Sequence, residues 1–184
     1  WEMSDRVQGD PQRTTRGMVE PTIGELANGR MILVMRGSND RRPELPSFRW
    51  VSFSDDGGWK WTKPEPWTYQ NGDPFFSPSA CSQLLRHSNG KLYWLGNINA
   101  TNPKGNRPRY PFYVGEVDQQ SGRLLRNSLR VVDDLGPGED PLLTLSNFYA
   151  REDRQTREIC LHMTRLFALP GGWEGDAMVY RIRV

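Results

Sequence analysis

Two residues of opposite charge, Glu20 and Arg36, are drawn to one place by the pattern of the residues between them. Thr22–Leu26 and Met31–Arg36 read as strands joined at Asn28-Gly29, the strongest short-range hairpin signal. A two-residue turn there sets Glu20 opposite Gly37 and beside Arg36, at the open end of the hairpin. An acid and a base on that rim form either a salt bridge of little energetic weight or part of a ligand-facing set. A second hairpin about Asn89-Gly90 sets Ser82 opposite Asn97 and carries Ser77 and Ser79 to the same end. Their hydroxyls and amides suit a polar ligand, and suit the loop's own backbone equally.

The elements that must hold these residues recur along the chain. Arg49–Phe53 reads as a third strand and Thr62–Tyr69 as a fourth, separated by Ser54-Asp55-Asp56-Gly57-Gly58-Trp59-Lys60-Trp61. In that stretch the glycines can enter left-handed turn conformations, Ser and Asp can bond the turn's own backbone, and the last Trp can fold back over it. The same order returns as Ser79–Leu85, Leu92–Leu95 and Tyr110–Val117, with Asp118-Gln119-Gln120-Ser121-Gly122 where the Ser/Asp turn belongs. Gly29 to Gly90 is 61 residues and Asp56 to Asp118 is 62, so two landmarks agree on one period. A third copy runs from Ser146–Tyr149 through Ile159–Met163 to Ala177–Val184 and has only three obvious strands.

Repeated units of four short strands predict an all-β fold, a β-propeller of four-stranded blades. The expected division is 1–18 as a connector or the end of a preceding blade, 19–70 as a first blade, 71–135 as a second and 136–184 as a partial last blade. About three blades do not close a ring, so half of a six-bladed propeller is expected. A missing N-terminal half or a second copy of the chain would complete it. The chain starts at Trp1 with no initiator Met and no targeting segment, which suits a piece of something longer.

With 184 residues, 36% of them hydrophobic, the chain has material for an ordinary core and no apolar run long enough for a membrane helix. A formal charge of +2, with bases scattered among nearly as many acids, excludes the basic face of a nucleic-acid binder. Cys81 and Cys160 fall in apolar strand-like segments and read as small buried hydrophobes, with no disulfide framework or zinc spacing. No cofactor or metal is expected. Asp133-Asp134 and Glu139-Asp140 lack calcium-loop spacing and read as solvated turns. His87 and His162 read as structural, and Asp73-Pro74-Phe75-Phe76 as packing or as an aromatic rim for a sugar.

The spacing S-x-D-x-G-x-x-W at Ser54, Asp56, Gly58 and Trp61 resembles the Asp-box of sialidase-like β-propellers, a structural turn between outer strands of a blade. Glu20-Pro21-Thr22-Ile23-Gly24-Glu25-Leu26-Ala27-Asn28-Gly29-Arg30, followed by a strand ending in Arg36, resembles a segment of bacterial exo-sialidases. The resemblance implies a glycosidase in which Glu20 activates a Tyr nucleophile and Arg36 is one of the arginines gripping the sugar's carboxylate. By position it implies Arg109, within Arg107-Pro108-Arg109-Tyr110-Pro111, as a second clamp; a solvated loop arginine is the alternative. It implies Tyr149, in Leu145-Ser146-Asn147-Phe148-Tyr149-Ala150, as nucleophile, although the Tyr-Pro-Ser-like segment of the family is absent and packing is the alternative. Ser79 and Asn97 complete the expected carbohydrate-binding set.

The chemistry of such a set is coherent. A guanidinium presents a rigid fork to a carboxylate, so converging arginines select and orient an anionic sugar. A carboxylate nucleophile would be repelled by that anion, whereas a neutral Tyr deprotonated by Glu would not. The alternative from another class is a non-catalytic propeller that binds glycans or proteins and keeps the Asp-box as a staple.

Overall fold

The computed structural model describes residues 1–184 and contains three antiparallel sheets in sequence order. The first holds β1 (Val19–Glu25), β2 (Met31–Arg36), β3 (Arg49–Ser54) and β4 (Glu65–Pro66). The second holds β5 (Gln83–Arg86), β6 (Leu92–Asn97), β7 (Phe112–Val117) and β8 (Arg130–Asp133). The third has β9 (Thr144–Glu152), β10 (Ile159–Leu166) and β11 (Gly175–Ile182). A single 3-10 turn at Arg126–Ser128 is the only helical element, and no helix is long and apolar enough to cross a membrane. The chain is all-β, three blades of a β-propeller-type fan.

The innermost strands β1, β5 and β9 lie side by side. Leu84 N–H donates to Thr22 Oγ1 at 2.8 Å, and the Gln83 amide exchanges two hydrogen bonds with the Ala150 backbone at 2.7 and 2.8 Å. Each wedge between blades is filled by apolar side chains from both sheets. Between the first and second blades, Val51, Trp67, Phe75 and Trp94 share one cluster, with Trp67 edge-on to Trp94 at a centroid separation of 5.6 Å. Between the second and third, Leu95, Phe112, Leu145 and Leu161 form another. Trp67 Nε1 donates to Gly122 O at 2.8 Å and so ties the first blade to the turn of the second. That turn needs its glycine, because φ is 68° and a Cβ would meet Phe53 at 2.6 Å.

The Asp-box folds as its spacing demands. Asp56 Oδ1 accepts from Ser54 Oγ at 2.8 Å, Trp59 N–H at 3.0 Å and Lys60 N–H at 2.9 Å, which closes the turn without help from elsewhere. In the second blade Asp118 Oδ2 accepts from the Ser121 N–H and hydroxyl, a shorter version of the same device.

Several local expectations are corrected. Both hairpins close with three residues in the loop: Leu26 N–H reaches Arg30 O, and His87 N–H reaches Lys91 O. The register therefore moves by one in each: Glu25 pairs with Met31, and Gln83 pairs with Leu95. The fourth strand shrinks to Glu65–Pro66, and Ser77–Ser82 is irregular backbone. Apart from these corrections, residues 1–18 lie against the first blade, as either a connector or the end of a preceding blade could: Asp5 N–H bonds Trp59 O, Thr14 Oγ1 accepts from Ser38 N–H, and the Arg13 guanidinium lies 4.8 Å from the Trp50 ring.

Candidate functional site

All three blades turn the same edge to one end of the fan. The Asn-Gly hairpins and the Asp-box lie at the opposite end. Glu20 follows Val19 at the start of β1, Arg36 ends β2, Ser77–Ser82 leads into β5, Arg109 precedes β7 and Thr144–Asn147 opens β9. Arg36 is paired with Val19, and a bulge between Val19 and Thr22 swings Glu20 out with φ of 48°, a left-handed conformation costly for any residue with a Cβ. The bulge compensates for the shifted register, so the carboxylate still reaches Arg36: Nη2 to Oε1 is 2.9 Å.

Arg36 Nη1 donates to Ser79 O at 2.7 Å, and Arg109 Nη2 donates to the same oxygen at 3.4 Å. Two guanidinia from different blades thus converge on one carbonyl, with a single carboxylate beside them. Burial pulls the pKa of Arg109 down; Cys81 and Glu20 oppose that fall, while Arg36 and Arg107 add to it. The Arg109 backbone is held in turn, because Leu145 N–H donates to Arg109 O at 3.2 Å.

Arg36 Nε, Arg49 Nε, Ser79 Oγ and Ser82 Oγ are buried without a hydrogen-bond partner. The partly exposed guanidinium groups of Arg36 and Arg109 are of the type that suits an anionic ligand. Of the groups at this end, Glu20 is exposed and Arg36 and Arg109 are partly exposed, whereas Arg49, Ser79 and Ser82 are buried behind them. The larger cavities are elsewhere: one of about 520 Å³ around His87, Arg157 and Arg183 at the turn end, and one of about 450 Å³ against Ile23, Leu33 and Trp61 on the outer face of the first blade.

Three expected members fall otherwise. Asn97 is fully buried, and its Nδ2 donates to the carbonyls of Arg109, Pro111 and Leu145 at 2.9, 3.3 and 3.2 Å. It staples the second blade to the third instead of presenting an amide to a ligand. Tyr149 is 61% exposed, and its hydroxyl makes no hydrogen bond. It pairs with His162 and, across β10, shares a face with Val179, while the adjacent Ala150 faces the core with Leu161. That alternation turns Tyr149 to the outer face of the third blade. Ser79 meets the arginines through its backbone oxygen, while its hydroxyl is buried.

Two residues near the arginines escaped the sequence reading. Cys81 is partly exposed, and its sulfur accepts from Asn147 N–H at 3.3 Å and lies 3.4 Å from Ser146 Oγ. Its apolar neighbours suggested a buried strand thiol, but the backbone there is irregular. Arg49 is wholly buried beneath the site. Its one visible sign was its place as the first residue of a strand that runs beside the one Arg36 ends.

His87 is buried, its Nε2 on Arg157 O at 2.8 Å and its Nδ1 accepting from Asn89 N–H at 3.1 Å, while His162 is exposed and solvent-facing. Phe75 joins the core and Phe76 stacks on Phe48 at 5.9 Å. Asp133 is no solvated turn residue: it ion-pairs with Arg165 and accepts from Tyr180 Oη. No group of three or more metal-ligating side chains is present.

No family model matches the chain, and no curated protein matches it in sequence. Solved structures do match in fold. A protein of unknown function from Dyadobacter fermentans aligns over 100% of this chain and 42% of its own, with TM-score 0.61 and 16% identity. Endo-1,5-alpha-L-arabinanase from Thermotoga petrophila aligns over 92% of this chain and 38% of its own, with TM-score 0.58 and 17% identity. Trypanosoma rangeli sialidase aligns over 89% and 23%, with TM-score 0.55 and 14% identity. The chain spans less than half the length of each.

Proposed function

We propose that the chain is part of a carbohydrate-active β-propeller whose mouth binds a terminal anionic sugar and that the complete ring is a glycoside hydrolase. The observation that carries this reading is the convergence of Arg36 and Arg109 on Ser79 O, with Glu20 on Arg36. Paired guanidinium forks match a sugar carboxylate, and Glu20 supplies the one carboxylate beside them as a proton acceptor. The likeness in fold to a sialidase and an arabinanase supports a carbohydrate ligand. Exposed Ile23 on the first blade and Val179 on the third mark the faces against which further blades, from a longer chain or a second copy, would pack.

The position of Tyr149 favours a second reading, a glycan-binding propeller without turnover. One experiment separates the two. The chain and its full-length parent are assayed on fluorogenic sialosides and uronides, beside binding of N-acetylneuraminate. The hydrolase reading expects turnover that Glu20→Gln abolishes and Arg36→Met weakens mainly through KM. Binding without turnover supports the second reading, and neither binding nor turnover removes both.

A further inference from the structure

Arg49 is a guanidinium with neither solvent nor a carboxylate. It is 0% exposed, starts β3 and is the Cα partner of Arg36. Nη1 donates to Ala80 O at 2.7 Å and Nη2 to Ser77 Oγ at 2.8 Å, both neutral oxygens on the strand approach of the next blade. The Ser77 hydroxyl passes the connection on to Asn97 O at 2.7 Å, and the guanidinium lies 5.8 Å from the Trp94 ring centroid. Arg49 O accepts from Trp67 N–H at 2.7 Å, so the residue is anchored at both ends.

A buried charge without a counter-charge is costly, and a hydrophobic side chain of similar size would fill the same volume at lower cost. Burial pulls its pKa to about 10, Cys81 and the more distant Glu20 carboxylate opposing the fall and Arg36 adding to it, so the group still carries its charge at neutral pH. What an apolar residue could not do is hold Ser77 and Ala80 together. Ser79 lies between them, and its carbonyl is the oxygen that Arg36 and Arg109 share.

We propose that Arg49 is a positioning residue: by clamping Ser77 and Ala80 from below, it fixes the Ser79 carbonyl on which Arg36 and Arg109 converge. The inference rests on the proposed function only in taking that arginine pair as the ligand clamp. Arg49 touches no ligand and acts through backbone. Its fork reaches two acceptors at once, which the single ammonium of lysine does not reproduce.

The test compares the chain with Arg49→Met, Arg49→Lys and Ser77→Ala, following the arginine side-chain N–H resonances assigned with Arg36→Lys and Arg109→Lys. Binding of N-acetylneuraminate is measured on the same samples. Arg49→Met and Ser77→Ala are expected to shift both the Arg36 and the Arg109 resonances and to weaken sugar binding at least tenfold; Arg49→Lys restores part of each. Ser77→Ala carries the test if Arg49→Met does not fold. Unmoved resonances in a folded variant overturn the proposal, as does unchanged affinity where the parent binds. Shifted resonances in a protein that binds no sugar leave the positioning role standing and remove the sugar reading instead.

Discussion

Glu20 Oε1 lies 2.9 Å from Arg36 Nη2 although the backbone partner of Arg36 is Val19. The contact exists because a bulge places Glu20 at φ 48°, where a residue with a Cβ is strained. A site residue held in a costly conformation invites a comparison of stability with function.

Glu20→Gly and Glu20→Ala both delete the carboxylate, but only glycine accepts the left-handed backbone freely. Glu20→Gly is therefore expected to be more stable than Glu20→Ala by about 1 kcal/mol. Glu20→Gln should unfold close to the parent, because a half-exposed ion pair is worth about 0.2–1 kcal/mol. Chemical denaturation of the three variants checks both.

Asn97→Ala removes the donor for three backbone carbonyls at the junction of the second and third blades. Arg109 O keeps the Leu145 N–H, so the loss falls on the Pro111 and Leu145 carbonyls, and urea unfolding should show a cost of about 1–3 kcal/mol. If the role were ligand contact alone, stability would not move.

Tyr180 is pushed up to about 12 by burial and by the Asp133 carboxylate that accepts its hydroxyl. A raised folded pKa favours the protonated phenol, so its contribution to stability is full below the unfolded value of about 10 and is lost as pH rises from there toward 12. Tyrosinate absorbance should show one late-titrating phenol that disappears in Tyr180→Phe, and that variant should lose the steep part of the alkaline destabilisation.

Asp56 is held below the usual carboxylate range, first by the Lys60 N–H and then by the Ser54 hydroxyl, with the Trp59 N–H adding a smaller share. A depressed folded pKa contributes stability above the unfolded value that disappears as pH falls below about 4. Asp56→Ala should lower Tm at neutral pH, and the gap to the parent should close in acid. A gap independent of pH would contradict the hydrogen-bonded turn.

The two hairpins and the Asp-box were legible because their chemistry is local: each turn is closed by atoms within a few residues of one another. The register was not, since a three-residue loop in place of two shifts every pair by one. For Glu20 a bulge cancelled that error; for Asn97 nothing did, and its amide turned out to face the third blade. Tyr149 was misplaced for a related reason, because the face a strand residue takes depends on pairing along the whole strand. The apolar neighbours of Cys81 and Arg49 read as ordinary strand, and the partners that define them lie in other blades.

By itself the sequence determined the repeat, its period, the turns and the all-β character, because each follows from residue spacing and backbone preference over a short span. Only the tertiary structure decided which side chains meet. Arg36 and Arg49 of the first blade find their acceptors on the Ser77–Ala80 segment of the second, and Asn97 of the second finds one on Leu145 of the third. Hydrogen bonds of about 3 Å between residues dozens of positions apart depend on how the blades pack, and that is a property of the filled wedges between them rather than of any one stretch of chain.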